Sequence, residues 1–373
     1  MRIGFDARVL YKKKLKGIGR YLQYLVIYFL RLEGNHEFFL FYNPKDAEII
    51  PEFENKRVIH IPVEGPNEEL WEQWFLPKAI RKNNIDAFHS TTNTTMLFPP
   101  CPTVISIHDV MSHLQAPRWG RRANFYWNFV QRIAYQKSSF FITCSNFSKE
   151  KINNHLNLPL EKIHVISYGI DEKYRRISSE VAADRLKHFS LKRPYLLMIG
   201  GKLLRKNILT ALKAFELVAS QKPDLILVIT GMKGFEPIEK EVAKSVHAER
   251  IKLLDYVSED ELVALYNNAA LFIFPSLDEG YGFPPLEAMA CGAAVIASNA
   301  SCIPEIVGDA AFLADCRTPE TMKEAILQVI ENPKLKSELI EKGLRHIRNF
   351  DWAKTACETF QIYEKVASEY SLS

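Results

Sequence analysis

The chain has 373 residues, 47% of them hydrophobic and 25% charged, with 16 Gly and 19 Pro. That profile reads as a soluble globular protein and excludes disordered, collagen-like and low-complexity chains; the length favours two domains, each with its own core. Lys and Arg number 48 against 44 Asp and Glu, a net charge of +4 that is too small for a general nucleic-acid binder.

Short β-rich runs alternate with longer stretches of helical period, the pattern of parallel sheets with crossover helices. A first series is expected to place strands near 2–5, 38–42, 58–62, 87–90, 103–107, 140–144 and 164–167, with helices near 19–32, 69–82, 122–137 and 147–155. A second places strands near 195–199, 225–230, 251–254, 271–275 and 293–297, with helices near 208–221, 236–248, 259–268, 285–291 and 322–331. Residues 173–194 are charged, lack a strand pattern and end in Pro194, so they read as the interdomain connection. The expected fold class is α/β, with two doubly wound Rossmann-like domains facing across a cleft. Their expected spans are 1–172 and 195–352, and a last helix over 353–373 is expected to pack back toward the first domain. Ligands of such sheets bind outside the carboxyl ends of the strands.

Charge is uneven: residues 1–180 hold 25 Lys/Arg and 18 Asp/Glu, which leaves 23 and 26 for residues 181–373. The six cysteines show neither a C-x-x-C spacing nor a partnered His, so neither zinc nor a disulfide framework is expected, and a reducing cytoplasm fits. Apolar runs such as 24–30 fall short of the ~20 residues that span a bilayer, and the N-terminus resembles no signal peptide. Any membrane contact is expected to be peripheral, at the inner face of the cell membrane.

The strongest chemical signal is the string from Pro275 to Gly292. A strand ends, a loop with Gly280 and Gly282 follows, and a helix opens with prolines in its first turn. The turn Gly280-Tyr281-Gly282-Phe283 is an expected anion site at a helix N-terminus. Glu279 precedes it and Glu287 lies about two turns into the helix, so one carboxylate can reach a sugar beyond the phosphates and the other paired hydroxyls on the near side. Arg205 and Lys206 follow the first strand of the second series, where a diphosphate would lie; each charge-assisted contact to phosphate is worth about 1.5–3 kcal/mol. No Asp-x-Asp occurs, so phosphate neutralisation without metal is expected, and no cofactor. Gly17-Ile18-Gly19 lacks the third glycine of a dinucleotide fingerprint. His108 closes an apolar strand with Asp109 behind it, and Tyr256-Val257 ends a strand either as a base-binding edge or as a buried strand end. Residues 118–127, basic and aromatic, read either as interfacial membrane contact or as core packing with a solvated Arg fringe.

The 275–292 string resembles the E-x7-E region of family 4 retaining glycosyltransferases, which have the two-domain GT-B fold and transfer a sugar from a nucleotide diphosphate donor. Gly17-Ile18-Gly19-Arg20-Tyr21, Trp71-Glu72-Gln73-Trp74, His108-Asp109, Gly200 with Arg205-Lys206-Asn207, and Tyr256-Val257 followed by Leu265-Tyr266 resemble its landmarks in order. The resemblance implies that Glu279 meets hexose hydroxyls, Glu287 holds the ribose and His108 touches the donor sugar. It further implies that the Gly17–Gly19 loop aims the first helix at donor phosphate or acceptor. Gly201 stands where many relatives carry an Arg. The Trp71–Trp74 run and the glycine loop most resemble mannosyltransferases of bacterial surface polysaccharide assembly, which implies GDP-mannose as donor. The acceptor so implied is a glycan or a polyprenyl-diphosphate-linked sugar. An epimerase or phosphorylase on the same fold, a transferase using UDP- or dTDP-sugars, and a catalytically silent nucleotide-sugar-binding subunit stay open from sequence.

Overall fold

The computed structural model describes residues 1–371 apart from Lys16, Glu54 and Lys192, and the chain divides into two compact units. The first comprises Met1–Gly169 with the tail from Asp351 onward, and the second Ile170–Phe350.

The first unit is built on parallel strands β1 (Arg2–Asp6), β2 (Glu37–Tyr42), β3 (Val58–Pro62), β4 (Ala87–Ser90), β5 (Thr103–Ser106), β6 (Phe140–Thr143) and β7 (Ile163–Val165). Their order is β3-β2-β1-β4-β5-β6-β7. Strands covered on both faces need apolar residues at successive positions, and Phe38, Phe39, Leu40 and Phe41 are all buried. Burying such a side chain is worth roughly 1.5–3 kcal/mol. Helix α1 (Gly17–Phe29) buries Tyr21, Leu22, Leu25, Val26 and Phe29, one face at helical spacing.

The last helix, Trp352–Ser371, packs against α1. Trp352 stacks on Tyr24 and Tyr168 with ring centroids 5.0 and 6.2 Å apart, and its backbone approaches Gly169 so closely that a Cβ there would clash. Trp352 therefore belongs to the first unit and not, as the expected span 195–352 has it, to the second. A buried hydrogen-bond chain runs from Tyr21 to Ser106 (3.0 Å), from Ser106 to His89 (2.8 Å) and from His89 to Tyr363 (2.6 Å). Burial, with His108 nearby, pushes the His89 imidazole down to about 3, so the ring stays neutral in this chain.

The second unit carries β8 (Tyr195–Ile199), β9 (Ile226–Thr230), β10 (Ile251–Leu253), β11 (Leu271–Phe274), β12 (Val295–Ser298) and β13 (Phe312–Ala314), in the order β10-β9-β8-β11-β12-β13. β13 was outside expectation because only three residues pair and two of them stay partly exposed. The stretch expected to be a bare connection also differs. It holds the helix Ser179–Leu186, capped by Ser178 and packed on the helix Glu259–Asn268. Only Ala182 and Leu186 of it are buried, too few apolar positions to make a visible period. The unit boundary accordingly falls after Gly169, three residues before the expected one.

Strand order reverses between β1 and β4 in the first sheet and between β8 and β11 in the second, and crevices for ligands open at the carboxyl ends of such pairs. Among the described residues no helix is long and apolar enough to cross a membrane.

Candidate active site

The β8/β11 crevice gathers most of the expected site. After β8 the chain needs Gly200, because a Cβ there would sit 2.6 Å from the Thr230 carbonyl oxygen. Gly201 leaves room for the Lys206 stem, whose Cγ would lie 3.2 Å from a Cβ at that position. The lysine stem thus lies along the open face of Gly201. A short turn, Leu204–Lys206, ends in Asn207, which adopts a left-handed conformation with φ +58°. The Asn207 amide bridges the carbonyls of Pro275 (3.2 Å) and Cys316 (2.6 Å), tying the loop after β8 to the loop after β11.

Those two loops place three charges side by side. Glu279 Oε1 accepts from Lys206 Nζ at 2.7 Å and from Ser276 Oγ at 2.6 Å, and Oε2 pairs with Arg205 Nη1. Arg205 also donates to the Asp278 carbonyl at 2.7 Å, while its own carbonyl accepts from Leu277 N at 2.8 Å. Burial by itself would raise the Glu279 pKa, but Lys206 and Arg205 outweigh it and hold the carboxyl below its ordinary range. The side chains remain partly open, 27% for Arg205 and 19% for Lys206, against 9% for Glu279. Sequence reasoning assigned the cations to phosphate and the carboxylate to sugar as separate features; their direct pairing, and the roles of Ser276 and Asn207 as anchors, escaped it. Ser276 stands three residues before Glu279, a spacing without signal when the loop shape is unknown.

Gly282 takes φ +106° and leads into the helix Phe283–Ala290. Pro284 and Pro285 carry no N–H, so the donors at this helix start come from the residues up to Phe283. Gly280 is half-buried, Tyr281 is buried and packs edge-on against Phe283, and Cys302 Sγ donates to the Glu279 and Tyr281 carbonyls at 3.2 Å each. Glu287 is buried and accepts from the Tyr266 hydroxyl at 3.1 Å. Burial, and then Glu287, keep the Tyr266 hydroxyl far above its ordinary pKa, so it acts as a donor. Tyr256 and Val257 lie past the end of edge strand β10 and are not a buried strand end: Tyr256 is 75% exposed, with its N–H held by Asp255 at 2.7 Å.

The remaining expected residues sit in the first unit. His108 follows β5; its Nε2 donates to the Thr91 carbonyl at 3.0 Å and its Nδ1 accepts from the Tyr168 hydroxyl at 2.6 Å. Burial lowers its pKa, and the ring is neutral with both nitrogens engaged. Asp109 caps the next turn through Met111 N at 2.9 Å. Gly17 and Ile18 open α1, and Gly19 lies against the Val9 carbonyl; Lys16, part of the basic run before them, lies outside the described residues. Residues 118–127 divide by face. Trp119 and Phe125 are exposed beside Arg118, Arg121 and Arg122, whereas Tyr126 donates inward to Glu72 at 2.7 Å and Trp127 packs on His113.

Comparison with known proteins bears on the family and the fold. The family described as Glycosyltransferase Family 4 matches residues 15–174, and that described as Glycosyl transferases group 1 matches residues 182–346. An Escherichia coli protein, O-antigen chain mannosyltransferase B, is 26% identical over 95% of this chain and 97% of its own length. Serotype-specific mannosyltransferase WbdA of Escherichia coli is 27% identical over 69% of this chain, which spans only 32% of that longer protein. Among solved structures, sucrose-phosphate synthase from Thermosynechococcus elongatus superposes with a TM-score of 0.77 at 17% identity, over 100% of this chain and 99% of that one. Two parallel-sheet units and two consecutive domain matches lead to one assignment: the chain belongs to the family 4 glycosyltransferases and is a transferase of the GT-B fold.

Proposed function

We propose that this enzyme transfers a hexose with retention of configuration from a nucleotide diphosphate sugar, GDP-mannose first among candidates, to a glycan or polyprenyl-diphosphate-linked acceptor in polysaccharide assembly. The observation that carries the reading is the Arg205–Lys206–Glu279 cluster at the β8/β11 crevice. Two partly open cations there need an anion, and in this state the protein supplies its own. A donor diphosphate takes the place of the carboxylate on Arg205 and Lys206, with the Gly280–Phe283 turn as further donor, and neutralises its charge without a metal. Glu279 is then released toward hexose hydroxyls, while Glu287 takes the ribose and the 256–257 loop the base. The resemblance adds His108 as a candidate contact to the donor sugar.

The step needs no enzymic base. The bond from the anomeric carbon to the phosphate oxygen breaks, the acceptor oxygen bonds to that carbon on the same face, and the acceptor proton passes to the departing phosphate oxygen. The protein orients the partners and stabilises the leaving charge. The mannosyltransferase relatives support mannose as the sugar.

Exposed Trp74, Phe98, Trp119, Phe125 and Phe129, with Arg118, Arg121 and Arg122, support peripheral contact of the first unit with an anionic membrane. The test is transfer from GDP-mannose, UDP-glucose and dTDP-glucose to a lipid-linked acceptor, with the anomeric configuration of the product read by NMR. An α-product from an α-donor is expected; an inverted product, or donor consumed only to an epimer, contradicts the reading. Sedimentation with anionic liposomes should fall when Arg118, Arg121 and Arg122 become Ser and as salt rises past about 0.1 M, where the Debye length is about 10 Å. Unchanged sedimentation removes the membrane part.

A further inference from the structure

β11 lies between β8 and β12 in the second sheet, so the loop that carries Glu279 has a neighbour on each side. On the β8 side, Leu277 N and Ser276 Oγ donate to the Arg205 carbonyl at 2.8 and 3.1 Å. On the β12 side two consecutive side chains take hold. Glu279 N donates to Ser301 Oγ at 3.1 Å, and the Ser301 hydroxyl donates either to the Glu279 carbonyl at 2.9 Å or to Asp278 Oδ1 at 3.1 Å. Cys302 Sγ, buried, is a second donor to the Glu279 carbonyl. One hydroxyl thus reaches both main-chain polar groups of Glu279, the residue whose carboxylate pairs with Lys206 and Arg205.

Ser301 does this in a left-handed conformation, with φ +62°. A residue with a Cβ seldom adopts that conformation, and glycine would adopt it without the steric cost. Of the six non-glycine residues with positive φ among those described, four are Asn, which takes the conformation more readily. Ser190, the other serine of the six, ends a short turn and is exposed, whereas Ser301 is half-buried against the Glu279 loop. Such strain persists where the surroundings hold it in place, and it gathers at functional sites. A glycine at 301 would relieve the backbone, but it would also remove the hydroxyl.

We propose that Ser301 is a positioning residue of the transferase reaction: its hydroxyl fixes the Glu279 main chain, so that the carboxylate leaves Lys206 and Arg205 for the donor sugar by side-chain rotation alone. The proposal rests on the transferase reading above and adds what keeps the Glu279 Cα in place while its side chain changes partners. Such fixing matters to rate, because a misplacement of about 1 Å can cost about 10²-fold.

Ser301→Gly and Ser301→Ala separate the hydroxyl from the strain, since both remove the hydroxyl and only the glycine relieves the backbone. Release of nucleoside diphosphate from GDP-mannose, UDP-glucose and dTDP-glucose, with water as acceptor, gives kcat and KM for whichever donor the wild type uses. In both variants kcat should fall tenfold or more, while donor KM and the calorimetric Kd of the nucleoside diphosphate stay within threefold. Ser301→Gly should melt above Ser301→Ala although the two are equally slow, so that rate follows the hydroxyl and melting follows the strain. A kcat within twofold of the wild type in either variant overturns the proposal, as does a kcat that recovers in Ser301→Gly together with melting, or a KM that rises as far as kcat falls. Hydrogen exchange read by mass spectrometry tests the same hold without catalysis. Residues 277–281 should exchange at least tenfold faster in Ser301→Gly, with the β11 strand unchanged; equal exchange of 277–281 in the two proteins overturns the proposal. If the wild type releases nucleotide from none of the three donors, the transferase reading fails on its own, and the exchange measurement alone decides whether Ser301 fixes the Glu279 main chain.

Discussion

At the scale of single residues, Glu279 and Glu287 share one loop and helix yet differ in partners, and the partners predict different losses. Glu279 neutralises the cations expected to take the diphosphate, so Glu279→Ala removes a competitor of the nucleotide as well as a contact to the sugar. Turnover should fall by orders of magnitude while calorimetric affinity for the nucleoside diphosphate stays level or rises. Glu287→Ala should instead weaken nucleotide and donor alike by ~1–3 kcal/mol, the cost of a lost buried hydroxyl–carboxylate contact. Equal losses of nucleotide affinity in the two variants would refute this division.

The same carboxylate predicts a pH effect. Because the folded state holds Glu279 below its ordinary value of 4.5, its contribution to stability is complete above about that pH. It is lost as pH falls through the lowered folded value. Thermal melting of the ligand-free protein from pH 7 to pH 3 should therefore drop more steeply for the wild type than for Glu279→Gln, with the curves separating below about pH 4.5. Parallel curves would show that the ion pairs with Lys206 and Arg205 do not persist in solution.

Elements show why some glycines were legible and others were not. Gly17 and Gly19 look alike in the sequence, as two ends of one G-x-G. In the structure a Cβ on Gly17 meets nothing within 4 Å, whereas one on Gly19 would come within 3.0 Å of the Val9 carbonyl and 3.1 Å of Leu15. Gly17→Ala should then leave urea stability within about 0.5 kcal/mol, and Gly19→Ala should cost about 1–3 kcal/mol through overpacking. A reversal of that order would mean that the loop before α1 takes another path.

Strand positions were readable because parallel strands buried on both faces leave continuous apolar runs such as Leu271–Phe274. The helix Ser179–Leu186 was not, since it buries only two side chains and its stability comes from a cap and from packing on another helix. Two π turns, over Trp71–Phe75 and over Tyr126–Val130, were equally hidden. Nothing in Trp71-Glu72-Gln73-Trp74 announces a widened turn, although that turn is what brings Glu72 to Arg8.

For the whole molecule, two parallel sheets each reverse strand order at one point, β1/β4 in one unit and β8/β11 in the other. The order of motifs along the chain was enough to read two such units and the family. Side-chain pairing across loops was not, because Arg205 and Glu279 stand 74 positions apart, and Arg8 and Glu72 stand 64 apart, with no periodicity to join them. The last helix was expected to pack back toward the first unit; what its helical period could not show is that Trp352 goes with it, its ring stacked on Tyr168 and its backbone against Gly169.

The central claim is that a nucleoside diphosphate is held by Arg205 and Lys206 in place of Glu279, with no divalent metal. Calorimetric titration of GDP into the wild type and Lys206→Ala, each with and without EDTA, tests it most directly. The wild-type affinity should agree within a few-fold in the presence and absence of EDTA and fall at least tenfold in Lys206→Ala. A hundredfold loss of wild-type affinity in EDTA, or an unchanged affinity in Lys206→Ala, would contradict it.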